Sequence, residues 1–121
     1  MTKIINILST EYTINYRSID TDPIFKKTPQ MVVYCCAVTK RIVICDLTKH
    51  PDYADESAFF KTASEKETLR HEIVHAFLDE SGLRDSALSY DGPWAKNEEM
   101  VDWIALIGPK IYKAWQEAEA I

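Results

Sequence analysis

The texture of the chain changes near residue 50, and that change limits the folds open to it. Ahead of it, β-branched and aromatic residues dominate. Ile4, Ile5, Ile7 and Leu8 form a short apolar run, and Tyr12, Ile14 and Tyr16 alternate with Thr13, Asn15 and Arg17. A period of two puts the three apolar side chains on one face of a strand. After the turn-like Asp20-Thr21-Asp22-Pro23 and an unassigned stretch to Pro29, residues 31–38 and 42–45 read as two nearly continuous apolar strands. Thr39-Lys40-Arg41 between them lacks the Asn-Gly of a tight hairpin, so a looser turn is expected.

The second half reads as helical. Ser64-Glu65-Lys66-Glu67 has the spacing of a capping box, which predicts a helix over 64–81 with Gly82 as the left-handed residue after it. Gly92-Pro93 opens or precedes a second helix over 94–107, and Gly108-Pro109 breaks it. Ile111, Trp115 and Ala118 then predict a short amphipathic helix. Strands followed by helices make an α+β chain: a small N-terminal sheet, antiparallel or mixed, with helices on one face.

A length of 121 residues fits one domain, residues 1–121, with a modest core. At 46% hydrophobic and 27% charged residues, a disordered tail is excluded. Acidic residues outnumber basic ones, 19 to 14, and neither a basic tract nor a nucleic-acid-binding motif is present, so nucleic acid is not an expected partner. No stretch reaches bilayer length, and the N-terminal apolar run, interrupted by Asn6, is too short for a secretory signal. Cys35, Cys36 and Cys45 are odd in number and two are adjacent, unlike a disulfide framework. Thiols on strands in a reducing cytoplasm are the expectation.

His71-Glu72-Ile73-Val74-His75 carries the chemistry. Histidines four apart lie one turn above each other on a helix, so both imidazoles can converge on one zinc ion. Glu72 sits about 100° round the helix, where it can accept a proton from water at the metal rather than act as a ligand of the same kind. Thr68, His71, Glu72, His75 and Asp79 share a polar arc, while Leu69, Ile73, Val74, Ala76, Phe77 and Leu78 fill the rest. A helix patterned this way is expected to be buried on most sides, with its histidines facing a cleft.

Two histidines leave a catalytic zinc one protein ligand short. No third histidine follows at short spacing, but Glu98 and Asp102 are again four apart on the second helix. Glu98 could complete the triad, and Asp102 could accept the outer N–H of a ligating histidine, fixing its tautomer. Glu99 points away, beside Trp103, and is the weaker choice. Met100, Val101, Ile104, Ala105 and Leu106 predict that this helix too is mostly buried.

Thr68-x-x-His71-Glu72-Ile73-Val74-His75 followed by Asn97-Glu98-x-x-x-Asp102 resembles the gluzincin signature. Leu69-Arg70-His71-Glu72-Ile73-Val74-His75-Ala76-Phe77, with strands ahead of two helices, resembles the small phage-associated zinc peptidases of the ImmA/IrrE type. The specific resemblance covers roughly residues 64–105. It implies a minimal zincin-like fold, Zn2+ held by His71, His75 and Glu98, and a peptide or protein substrate paired with a sheet edge. The strand expected at that edge is 41–46. A second catalytic lobe is lacking, so a narrow substrate range is expected, and a repressor-like partner fits both the resemblance and the acidic surface.

Peptide hydrolysis at such a centre uses Glu72 to take a proton from water and return it to the leaving amine. The oxyanion needs a further donor. Tyr90, in the loop between the helices, is one candidate, and His50, ahead of the first helix, is another. Trp94, Trp103 and Trp115 read as core or helix-packing residues, and Asp79 as an exposed helix acid or a residue of the cleft. The alternative function is a zinc-stabilised regulatory or binding module without peptidase activity.

Overall fold

The computed structural model describes residues 2–83, 94–119 and 121. Four strands, β1 (Thr2–Ile7), β2 (Thr10–Arg17), β3 (Val33–Cys36) and β4 (Arg41–Cys45), form one mixed sheet in the order β1-β2-β4-β3. Both hairpins are antiparallel, and β2 runs parallel to β4. Three α-helices lie among the described residues: α1 (Pro23–Lys27), α2 (Ala58–Glu80) and α3 (Glu98–Glu117). The α+β expectation therefore holds in its coarse form, and no described helix is long and apolar enough to cross a membrane.

The β1–β2 turn places Leu8 at φ 50° and Ser9 at φ 70° without a glycine. Primed turns need positive φ at both central residues. The Ser9 N–H donates to Asn6 Oδ1 at 2.7 Å, which helps hold that conformation. Between β3 and β4 the turn is looser, as expected, with Lys40 at φ 56°.

The strand expected at the sheet edge lies instead in the interior. β4 pairs with β2 on one side and β3 on the other, leaving β1 and β3 as the edges among the described residues. The reason is burial on both faces. Ile42 and Ile44 pack with Ile7, Tyr12, Ile14 and Ala76 under α2, while Val43 and Cys45 pack with Phe25, Ile19 and Leu47 on the opposite side. A strand covered twice reads as an unbroken apolar run, whereas an edge needs polar punctuation. The small helix α1 covers that second face, so helices occupy both sides of the sheet. Asp22 caps α1 through the amides of Ile24 and Phe25 and accepts a hydrogen bond from the Tyr34 hydroxyl at 2.8 Å.

Helix α2 begins earlier than the capping-box pattern predicts. Ser57 caps it by accepting from the Phe60 amide at 3.1 Å, and Ser64 lies inside, its carbonyl taking the Thr68 hydroxyl. Residues 58–63 contain no helix breaker, so the earlier cap prevails. Gly82 takes φ 77° just past the C-terminus, as expected. Glu80, in the last turn, accepts from Tyr12 Oη at 2.7 Å and Thr10 Oγ1 at 3.1 Å and pairs with Lys40. These contacts tie the end of α2 to β2 and the second hairpin.

Gly108-Pro109 does not break α3, which runs without interruption to Glu117 and absorbs the expected terminal helix. Proline at 109 withholds the N–H that would serve the Ala105 carbonyl. Arg70 supplies the substitute: its Nε–H donates to Ala105 O at 2.6 Å. The same contact joins α2 to α3. Only Val101 and Ala105 of α3, and Ala76 of α2, are fully buried, so neither helix is enclosed to the degree predicted. Trp94, Trp103 and Trp115 are more than half exposed and do not belong to the core. An apolar composition can line an open helix face as well as a buried one.

Candidate metal centre

Three polar side chains from two helices meet at one point. The one-turn spacing on α2 brings the rings of His71 and His75 to a centroid separation of 4.7 Å, with their Nε2 atoms 3.1 Å apart. The N-terminus of α3 is fixed by Asn97, whose Oδ1 accepts from the Met100 amide at 2.8 Å. That cap starts the helix with Glu98 facing α2. Its carboxylate spans both imidazoles, Oε2 lying 3.1 Å from His71 Nε2 and Oε1 lying 3.1 Å from His75 Nε2.

The outer nitrogen of His71, Nδ1, lies 2.6 Å from Asp102 Oδ1. An ionised carboxylate can only accept, so Nδ1 is the donor in this contact and Nε2 is the nitrogen turned to the triad. His71, His75 and Glu98 could thus hold a metal ion. Tetrahedral bonds of about 2.0–2.1 Å set donor atoms about 3.3 Å apart. The triad would need to open only slightly to receive such an ion.

Glu72 lies outside the triad. Its Oε1 is 3.9 Å from His71 Nε2, and its side chain is 12% exposed, against 67% for Glu98. Burial raises its carboxyl above the ordinary range, while His75 and His71 pull it back down. A carboxylate held at this depth beside two imidazoles is placed to exchange a proton with a small molecule at the triad.

The centre opens into a cavity of about 250 Å³ walled by Cys35, Asp79 and Lys96 besides the residues already described. Asp79 thus belongs to the cleft, one turn beyond His75. Its place in the polar arc of α2 was the available signal. Lys96 gave none, because a short 3-10 turn (Trp94–Lys96) and not a periodic element aims it. Cys35 arrives from edge strand β3, all four residues of which are half-buried. No disulfide joins any of the three cysteines. Glu99 lines a separate apolar groove with Trp94, Met100 and Trp103, as its direction on the helix implied.

His50 is a structural residue. It is 2% exposed, its Nε2 is 2.8 Å from the Pro29 carbonyl, and its Nδ1 accepts from the Asp52 amide. Both ring nitrogens are committed, and the oxyanion role has no support there. Tyr90 lies outside the described residues, as does Gly92-Pro93. Searches against protein-family models, curated proteins and solved structures gave no match to this chain.

Proposed function

We propose that this chain is a zinc-dependent peptidase acting in the cytoplasm, similar to gluzincins and to the small ImmA/IrrE-type peptidases that the motif resembles. The observation that carries the reading is the equal 3.1 Å spacing of His71 Nε2, His75 Nε2 and the Glu98 carboxylate, with Glu72 beside them. A purely structural zinc site has no use for a largely buried carboxylate outside its ligand set.

His71, His75 and Glu98 would hold the ion, which when bound supplies Lewis acidity to a carbonyl and acidifies water. Asp102 keeps the His71 proton on Nδ1, so that Nε2 stays a donor of its lone pair. Glu72 accepts the proton of the attacking water and passes it to the leaving nitrogen. β3 presents the sheet edge nearest the cavity, through Cys35, and an extended peptide added there would run past the triad. The substrate strand is thereby assigned to β3 in place of β4.

Metal content per chain tests the ligand set: one zinc in the wild type and a sharply weaker site in Glu98→Ala. Glu72→Gln should retain zinc and lose hydrolysis. Hydrolysis that survives that substitution would remove the proposed base, and a wild type purified without chelator that holds no zinc would remove the enzyme.

A further inference from the structure

Asp79 is a carboxylate with a place in the cavity and no hydrogen-bond or ion-pair partner among the described residues. It follows His75 by one turn of α2, on the face that carries both histidines, and it lines the cavity with them. Its side chain is partly buried, and it makes no hydrogen bond or ion pair among the described residues. The adjacent residue is the opposite case. Glu80 engages Tyr12, Thr10 and Lys40, so the nearby cation of the hairpin is already committed. Lys96, also on the cavity wall, forms no ion pair with Asp79 among the described residues. A partly desolvated carboxylate with no cation beside it among the described residues is stabilised by one that arrives with a ligand.

We propose that Asp79 is a specificity-determining residue that receives a cationic group of the substrate, next to the bond presented to His71, His75 and Glu98. The assignment rests on the peptidase reading above and adds the substrate class: peptides with lysine or arginine beside the scissile bond. A free N-terminal amine carries the same chemistry and is separated from a side chain by the test. The small cavity favours one such side chain over a longer basic stretch.

Binding is read on zinc-loaded Glu72→Gln, so that no peptide is consumed. Fluorescent hexapeptides with acetylated N-termini, alike except for one scanned residue, carry lysine, leucine or glutamate at it. The lysine peptide is expected to bind at least about 10-fold more tightly than the leucine peptide, the scale of one charge-assisted hydrogen bond. Asp79→Asn should remove that preference with an unchanged melting temperature, and Asp79→Lys should turn it toward glutamate. Preference only for an unblocked leucine peptide would identify the N-terminal amine as the cation. Equal binding of all blocked and unblocked peptides, or a lysine preference that survives Asp79→Asn, would overturn the assignment.

The two readings fail differently. Hydrolysis by the wild type without regard to charge would leave the peptidase standing and remove Asp79 from specificity. Lysine-selective binding through Asp79 in a protein that holds no zinc and cleaves nothing would do the reverse.

Discussion

Arg70 and Pro109 should behave as a coupled pair, because one replaces what the other withholds. Arg70→Met keeps most of the apolar stem but removes the donor that reaches Ala105 O at 2.6 Å. With proline at 109 no backbone amide can take over, so the carbonyl of a residue that is 2% exposed is stranded. A charge-assisted hydrogen bond of this kind contributes about 1.5–3 kcal/mol, and the stranded acceptor places the loss in that range. In a Pro109→Ala background the restored N–H serves the same carbonyl, and Arg70→Met should then cost about 0.5–1 kcal/mol.

The difference is a coupling of about 1–2 kcal/mol. In a chain of this size each kcal/mol corresponds to a melting shift of about 3–6 °C. The cycle is measured by urea unfolding followed by circular dichroism, with a chelator present so that metal binding adds nothing to the folded state. Additive effects, within about 0.5 kcal/mol, would refute the account of how α3 passes through Pro109.

Other outcomes are fixed by equally specific contacts. At the proposed zinc site, Asp102→Ala should weaken binding by about 10–100-fold in a competition titration, and Asp102→Asn, which still accepts from His71 Nδ1, by less. Lys40 holds the Glu80 carboxyl below the usual carboxylate range, with help from Tyr12. Its contribution to stability is therefore complete above the unfolded-state value of about 4.3 and disappears as pH falls through the lower folded value. Urea midpoints of Glu80→Gln should accordingly approach those of the wild type as the solution is acidified, and a constant gap down to acid would exclude the mechanism. Gly82→Ala, strained at φ 77° although no atom blocks its Cβ, should cost about 1 kcal/mol by thermal melting.

Spacing alone determined the histidine pair. One turn of any helix brings residues 71 and 75 to the same face, and the apolar flanks made a helix the only economical conformation there. Glu98 and Asp102 were legible for the same reason, since their four-residue spacing follows from the helix and not from its surroundings. The α+β class followed from the change of period near residue 50. What the sequence left open was every relation between elements. Strand order depends on which faces are covered, and the unbroken apolar run of β4, compatible with several placements, becomes an interior strand only because α1 and α2 cover it from both sides.

The boundaries of the helices were settled by contacts over long sequence distances as well as by local caps. Pro109 is a helix breaker wherever its i−4 carbonyl is left without a donor, and here Arg70, 35 residues before Ala105, provides one. The tryptophans look like core residues by composition, but of α3 only Val101 and Ala105 are fully buried, and the larger rings stay more than half exposed. Local periodicity could place His71 and Glu98 on their own helices. That their nitrogen and oxygen atoms come within 3.1 Å of each other is a property of how α2 packs against α3.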